Sequence, residues 1–271
     1  MTHSRPQIHE LLEQYGLAAR REFGQNFVAD PNTVRRIAQL AQVGKGDLVV
    51  EIGPGLGSLT LALIETKAEV VAIEVDSGMA AAAREVVAGQ ARIIEADALA
   101  LDWGDVLGEG DRRAHVVANL PYNVGTTMIL DILQHVERVE SLTVLVQAEV
   151  ADRLAAKAGS KIYGIPSVLA GFYADVSVVA RVPPTVFVPR PKVTSAVVRL
   201  VRRESVPDID TDRMRALVRA GFGQRRKMLR RSLSGLVDEA ELVSVDVAPT
   251  ARAEELDLDA WIRLASIPST S

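Results

Sequence analysis

Apolar positions along this chain follow two rhythms. Short unbroken apolar runs alternate with stretches in which apolar residues recur every three or four positions. The runs at 47–52, 69–75, 91–95, 114–118, 142–147, 176–182 and 196–201 read as strands. The spaced stretches predict helices over 6–15, 31–42, 59–66, 77–88, 125–135 and 149–158. Punctuation supports these bounds. Gly16 and Gly89 stop their helices, Pro31 stands at a first helical position behind the cap residue Asp30, and Ser77 can cap the alanine-rich helix. A second apolar stretch, 165–173, carries no clear period. Residues 202–208 read as a linker, after which the pattern is wholly helical: one helix from Asp210 or Thr211 to about 221, one over 224–236 and one over 256–267.

Alternating strands and helices predict an α/β fold with a doubly wound, mostly parallel sheet. The helical tail predicts a small all-helical C-terminal domain. The expected division is 1–205 and 206–271. A length of 271 residues leaves room for one large and one small domain.

Composition removes several function classes. No run of eighteen apolar residues occurs, so a membrane span is not expected, and the first residues lack the apolar segment of a secretory leader. There is no cysteine, which removes disulfides, thiolate metal sites and cysteine nucleophiles, and is compatible with a cytoplasmic protein. The four histidines, at 3, 9, 115 and 135, have no metal-ligand spacing, so no metal site is expected. Net charge is −4, but it is unevenly spread. Eight basic residues and no acidic one lie between Arg213 and Arg231; eight acidic residues and one arginine lie between Asp238 and Asp259. The basic run reads as a phosphate-binding patch or, alternatively, as a solvated helix face.

Candidate chemistry gathers where strands end. The first strand closes in Gly53-Pro54-Gly55-Leu56-Gly57-Ser58 before a helix. Glycines there let a ligand approach the backbone, and the helix start offers free N–H groups. The spacing is not that of the common dinucleotide fingerprint, and a plain tight turn is the alternative. Glu74 ends the second strand about twenty positions on, a placement that suits ribose hydroxyls. Asp97 follows the third strand and could accept from an adenine amine or simply serve the turn. Asn119-Leu120-Pro121-Tyr122 follows the fourth, where Pro121 ends the strand. The Asn119 side-chain carbonyl and the Leu120 backbone carbonyl can together hold an amino group, and Tyr122 offers a face for a base. The bland reading is a strand, a proline turn and a packed tyrosine. Phe187 stands on a proline-rich loop, 183–193, either reaching a ligand or packed beneath it.

The segments Phe23-Gly24-Gln25-Asn26-Phe27, Glu51-Ile52-Gly53-Pro54-Gly55-Leu56-Gly57, Ile73-Glu74-Val75-Asp76, Asp97-Ala98-Leu99 and Asn119-Leu120-Pro121-Tyr122-Asn123 resemble, in order, those of the ribosomal RNA adenine N6-dimethyltransferase family. So do the run from Gln147 to Leu154, the run from Phe187 to Val198, and Phe222-Gly223-Gln224-Arg225-Arg226-Lys227. The likeness spans about 20–233 and is strongest to the bacterial small-subunit type. Departures are small: Ala96 stands where a glycine is common, and Arg231 where asparagine is frequent.

The resemblance implies a class I, Rossmann-like methyltransferase fold with S-adenosyl-L-methionine as cofactor. It implies a cofactor pocket drawn from Gln25, Asn26, Val28, Gly53, Gly55, Glu74, Asp97, Ala98 and Asn119. The catalytic set is Asn119, Leu120, Pro121, Tyr122 and Phe187, with Tyr122 and Phe187 sandwiching a flipped adenine. RNA contacts are expected from Arg219, Arg225, Arg226, Lys227, Arg230 and Arg231 in the C-terminal domain. The implied reaction is dimethylation of two adjacent adenosines in a hairpin loop near the 3′ end of 16S ribosomal RNA. The implied partner is a 30S assembly intermediate in the cytoplasm, met by a monomeric enzyme without metal. The rivals are a resistance-type methyltransferase acting on 23S ribosomal RNA and a noncatalytic ribosome-assembly factor; a nicotinamide dehydrogenase is the most distant.

Overall fold

Buried strands and the turns that end them build the sheet that positions everything else. The computed structural model describes residues 2–19, 25–121 and 124–268. Tyr122, Asn123, Phe23 and Gly24, all singled out above, lie outside the described residues. Helix α1 (Arg5–Gln14) and the short strand β1 (Phe27–Val28) come first, followed by α2 (Pro31–Leu40). Then alternate β2 (Leu48–Ile52), α3 (Ser58–Glu65), β3 (Glu69–Glu74), α4 (Ser77–Val87), β4 (Arg92–Glu95), α5 (Trp103–Leu107), β5 (Ala114–Asn119), α6 (Gly125–His135) and β6 (Val139–Gln147). After α7 (Ala148–Leu154) and α8 (Ile165–Tyr173) come β7 (Ala174–Val182), β8 (Phe187–Val188) and β9 (Ser195–Arg202). The chain ends in α9 (Thr211–Gly223), α10 (Leu229–Ser232), α11 (Glu239–Ser244) and α12 (Leu258–Ala265).

The seven-stranded sheet has the order β4-β3-β2-β5-β6-β9-β7. Strands β2 to β6 run parallel, and β9 is antiparallel to β6. Strand order reverses between β2 and β5, the switch point where open α/β sheets take ligands. The register brings Ile52 beside Ile73 and Ala118, so β2, β3 and β5 finish at one edge. Each of the five residues of β2 is buried, as expected of a strand covered on both faces.

Two compact units emerge. One comprises 1–151 and 176–202, the other 152–175 and 203–271. Against the expected division at 205/206, the second unit takes in residues 203–205 and also 152–175, α8 among them. The reason lies in long-range bonds: Arg203 donates from its backbone to the Tyr173 carbonyl, from Nε to the Gly171 carbonyl, and pairs with Asp175 at 2.9 Å. Its core gathers Phe172, Met214, Leu217, Leu229, Leu242 and Trp261.

The sequence pattern differs from the structure at several places: it predicts neither α5 nor α11, and α7 ends at Leu154 rather than near 158. Residues 224–236 are not one helix: Gln224 leaves the helical region, and only α10 is helical beyond it. Asp76, not Ser77, caps α4, its carboxylate accepting from the Met79 N–H at 3.1 Å. The polar loop before Asp30 and the proline-rich loop after Pro183 pair as β1 and β8, antiparallel, in a two-stranded sheet. Among the described residues no helix is long and apolar enough to cross a membrane.

Candidate active site

A cavity of about 290 Å³ opens at the carboxyl edge of β2, β3 and β5. Gln25, Asn26, Val28, Gly53, Gly55, Glu74, Asp97, Ala98 and Asn119 all line it, as do Leu120 and Pro121. Residues drawn from 53–121 thus share one wall because parallel strands end together, and the segment around β1 adds Gln25, Asn26 and Val28.

The glycine loop is held open by its backbone. Gly53, Gly55 and Gly57 all have positive φ, which side chains other than glycine adopt at a cost. Gly53 N–H continues the ladder to the Ile73 carbonyl at 2.9 Å. Gly55 N–H donates to the Glu74 carboxylate at 3.0 Å, and the other Glu74 oxygen accepts from Asp76 N–H at 3.0 Å. Glu74 therefore fixes the loop as well as facing the cavity. Burial raises its pKa, and those backbone donors pull it part of the way back.

Glu51 is the ionisable residue inside the buried strand β2, only 1% exposed, and it also lines the cavity. Burial, with a smaller push from the Glu74 carboxylate, raises its pKa to about 8, so the side chain is protonated at neutral pH. The Thr60 hydroxyl opposes this by more than the Glu74 carboxylate adds, without forming a well-shaped hydrogen bond. Glu51 Oε2 and Thr60 Oγ1 both lack a partner among the described residues.

Asn119 is the last residue of β5, and its side-chain Nδ2 donates to the Asn26 backbone carbonyl at 2.8 Å. Its Oδ1 accepts no hydrogen bond from the described residues. Leu120 keeps its N–H in the ladder, donating to the Leu145 carbonyl at 3.1 Å, while no backbone N–H of the described residues donates to its own carbonyl. Pro121 supplies the reason: it cannot extend the strand, and its carbonyl starts α6 by accepting from Gly125 N–H at 3.1 Å. Two acceptors on consecutive residues at the strand end are thus left without a donor among the described residues. Asp97 is exposed and accepts from Leu99 N–H at 2.9 Å with one oxygen, serving the turn while lining the cavity.

Two expected site residues are placed elsewhere. Phe187 is fully buried, packed with Val49, Val117, Leu145 and Val197, and does not line the cavity. The pairing of β8 with β1 turns it inward, which the proline-rich sequence does not reveal. Arg225, expected on RNA, is committed inside the helical unit. It donates to the carbonyls of Tyr163 at 2.9 Å and Lys161 at 2.8 Å, and pairs with Glu254 at 2.7 Å. Arg219, Arg226, Lys227, Arg230 and Arg231 are exposed, with Arg230 loosely paired to Glu239 at 3.7 Å.

The cavity also uses residues that the sequence pattern passed over. Ile8 on α1, fully buried, is one; Val75 and Leu99, exposed large apolar residues beside Glu74 and Asp97, are others. Glu51 is a third kind, and the signal for it was present: a lone carboxylate in an apolar strand has a reason to be there.

Comparison with known proteins places the chain. The profile of the family described as ribosomal RNA adenine dimethylase matches residues 16–268. "Ribosomal RNA small subunit methyltransferase A" of Streptomyces griseus is 45% identical, covering 95% of this chain and 92% of that one. The protein of the same name from Phenylobacterium zucineum is 44% identical, covering 98% and 96%. Among solved structures, a dimethyladenosine transferase from Plasmodium falciparum superposes with a TM-score of 0.76 at 23% identity, over 87% of this chain and 94% of that one, a likeness of fold. The 23S rRNA methyltransferase ErmE superposes with a TM-score of 0.68 at 26% identity, over 88% and 97%. The fold is that of the class I methyltransferases, and the chain belongs to the ribosomal RNA adenine dimethylase family.

Proposed function

We propose that the protein dimethylates the N6 amines of adenosines in small-subunit ribosomal RNA, with S-adenosyl-L-methionine as methyl donor. The observation that carries this reading is the pair of acceptors, Asn119 Oδ1 and the Leu120 carbonyl, on residues lining a cavity whose titratable side chains, among the described residues, are the carboxyls of Glu74 and Asp97 and the protonated Glu51. Among the described residues, no Lys, Arg or His lines that cavity. Such a wall suits a cofactor carrying positive charge and no phosphate, and is a poor match for a dinucleotide. The residues present therefore fit the cofactor. When the cofactor is bound, its ribose would be held by Glu74, its adenine by Asp97 and its amino-acid end by the glycine loop.

When bound, S-adenosyl-L-methionine supplies a methyl group on a positively charged sulfur that leaves as a neutral thioether. The protein's part falls on the amine, whose lone pair is delocalised into the adenine ring. Asn119 Oδ1 and the Leu120 carbonyl hold its hydrogens, favour a pyramidal nitrogen and stabilise the positive charge that develops there. Aligning the two reactants lowers the barrier further. No side-chain base is needed, because the methylated amine gives its proton to water. Tyr122 stacks on the base, which leaves its own stack to enter the pocket.

The helical C-terminal region, 206–271, binds RNA through Arg219, Arg226, Lys227, Arg230 and Arg231, which hold phosphates. The substrate is the hairpin loop with two adjacent adenosines near the 3′ end of 16S ribosomal RNA, met in a 30S assembly intermediate in the cytoplasm by a monomeric enzyme. The relatives named for the small subunit, at 44–45% identity, support that target over the 23S target named for ErmE. The test is transfer of labelled methyl to three acceptors: small subunits lacking the modification, large subunits lacking theirs, and naked small-subunit RNA. Label on small subunits alone is expected. Label on large subunits only would move the target, and no label with cofactor bound would favour a noncatalytic assembly factor.

A further inference from the structure

The amide of Asn119 has two ends, and only one of them can serve an amine. Its Nδ2 lies 2.8 Å from the Asn26 carbonyl oxygen. A backbone carbonyl only accepts, so chemistry alone decides which end of the amide faces it. Oδ1 is thereby turned away from Asn26 and left as an acceptor.

The carbonyl that does this sits on a well-anchored segment. Asn26 leads directly into β1, whose Phe27 and Val28 pair with Val188 and Phe187 of β8. Ala29 N–H donates to the Val186 carbonyl at 2.6 Å. Phe27 packs with Ile8, Leu56 and Met79. Asn26 also lines the cavity itself. One stretch of chain therefore walls the pocket and grips the side chain at the end of β5.

We infer that the Asn26 carbonyl is a positioning group: it aims the Asn119 acceptor at the target amine, and position 119 consequently requires an amide rather than a carboxylate. This rests on the methyl-transfer reading above. Were acceptance the whole of Asn119's role, an aspartate of the same shape would serve as well, and its charge would favour the developing cation. The structure gives the opposite expectation. An ionised aspartate has no hydrogen for Asn26, so two oxygens bearing lone pairs would face each other, and the side chain would rotate away. A protonated aspartic acid can again donate to Asn26 and present its carbonyl oxygen to the amine.

The test is Asn119→Asp, compared with the unsubstituted enzyme from pH 5.5 to 8.5. Methyl transfer, cofactor dissociation constant and melting temperature are measured for both. Among the described residues, the titratable groups that share the cavity are Glu51, Glu74 and Asp97; the unsubstituted enzyme carries the same groups, so the ratio of the two rates cancels them. At pH 8 the variant is expected to lose on the order of 100-fold in kcat. Its cofactor affinity and melting temperature change little. The ratio of variant to unsubstituted kcat then rises as pH falls, by up to about tenfold per unit above the new carboxyl's pKa. A variant within severalfold of normal at pH 8, or one equally depressed at every pH, overturns the inference. If Asn119→Asp does not fold, the Asn119 side-chain amide protons of the unsubstituted protein decide by NMR. Slow exchange supports a committed donor; exchange at the rate of a solvated asparagine overturns it. An unsubstituted enzyme that methylates no adenine would instead sink the functional reading.

Discussion

The Phe27 ring occupies the space that a side chain at Gly55 would need. A Cβ built on Gly55 lies 2.8 Å from Phe27 Cε1, and the residue has φ +54°. The glycine loop is thus pinched between β1 and its own backbone conformation. Gly55→Ala combines left-handed strain of about 1–2 kcal/mol with that clash. It is expected to weaken cofactor binding by at least about tenfold, read by calorimetry, and to lower the melting temperature. Unchanged affinity would mean that Phe27 yields freely.

Glu51 gives the protein a pH dependence of unusual sign. The native chain holds its proton up to about pH 8, whereas the unfolded chain releases it near the ordinary glutamate value of 4.5. Between those values the native state binds more protons, so stability falls as pH rises, by at most about 1.4 kcal/mol per unit from this group. Glu74, also raised, acts in the same direction. Glu51→Gln removes the Glu51 contribution. Urea unfolding at pH 5, 6.5 and 8 should therefore show the variant gaining on the unsubstituted protein as pH rises. Parallel curves would show that Glu51 is ionised in the fold.

Phe187 separates packing from stacking. Phe187→Ala should cost about 3–5 kcal/mol, as for a fully buried aromatic. Phe187→Leu keeps most of the volume. If the ring acts only in the core, as its burial indicates, methyl transfer by the leucine variant stays within severalfold of normal. Loss of transfer with the fold and cofactor affinity intact would put the ring against the target base.

Neighbouring cations in the helical unit should behave differently. Arg226→Ala and Lys227→Ala, at exposed positions, should each reduce the slope of log K against log salt for RNA binding by about one. Arg225→Ala should leave the slope unchanged and destabilise the fold by on the order of 2 kcal/mol, because it strands the carbonyls of Tyr163 and Lys161 and the Glu254 carboxylate. A reduced slope for Arg225→Ala would assign it to phosphate.

The strand ends were legible because each apolar run closes in a residue that breaks or departs from it: Gly53, Glu74, Asn119. Parallel order then brings them together without further information. Two-residue strands are a different matter. Neither Phe27–Val28 nor Phe187–Val188 is long enough to show a period, and their pairing joins segments 160 positions apart, so the inward turn of Phe187 was not visible. The Arg225 charge was visible and its role was not, since its acceptors lie on a loop more than sixty positions earlier. Likewise the Asn119 amide was recognised as an acceptor, while the donor half waited on where Asn26 falls.

The central claim is that the end of β5 acts on the amine rather than on the cofactor. Asn119→Ala tests it most directly, with cofactor affinity by calorimetry and single-turnover methyl transfer to small subunits measured on one preparation. The account predicts affinity within about tenfold of normal, because β1 remains paired to β8, and transfer reduced by on the order of 100-fold or more. Equal loss of both would contradict it and make Asn119 a cofactor ligand alone.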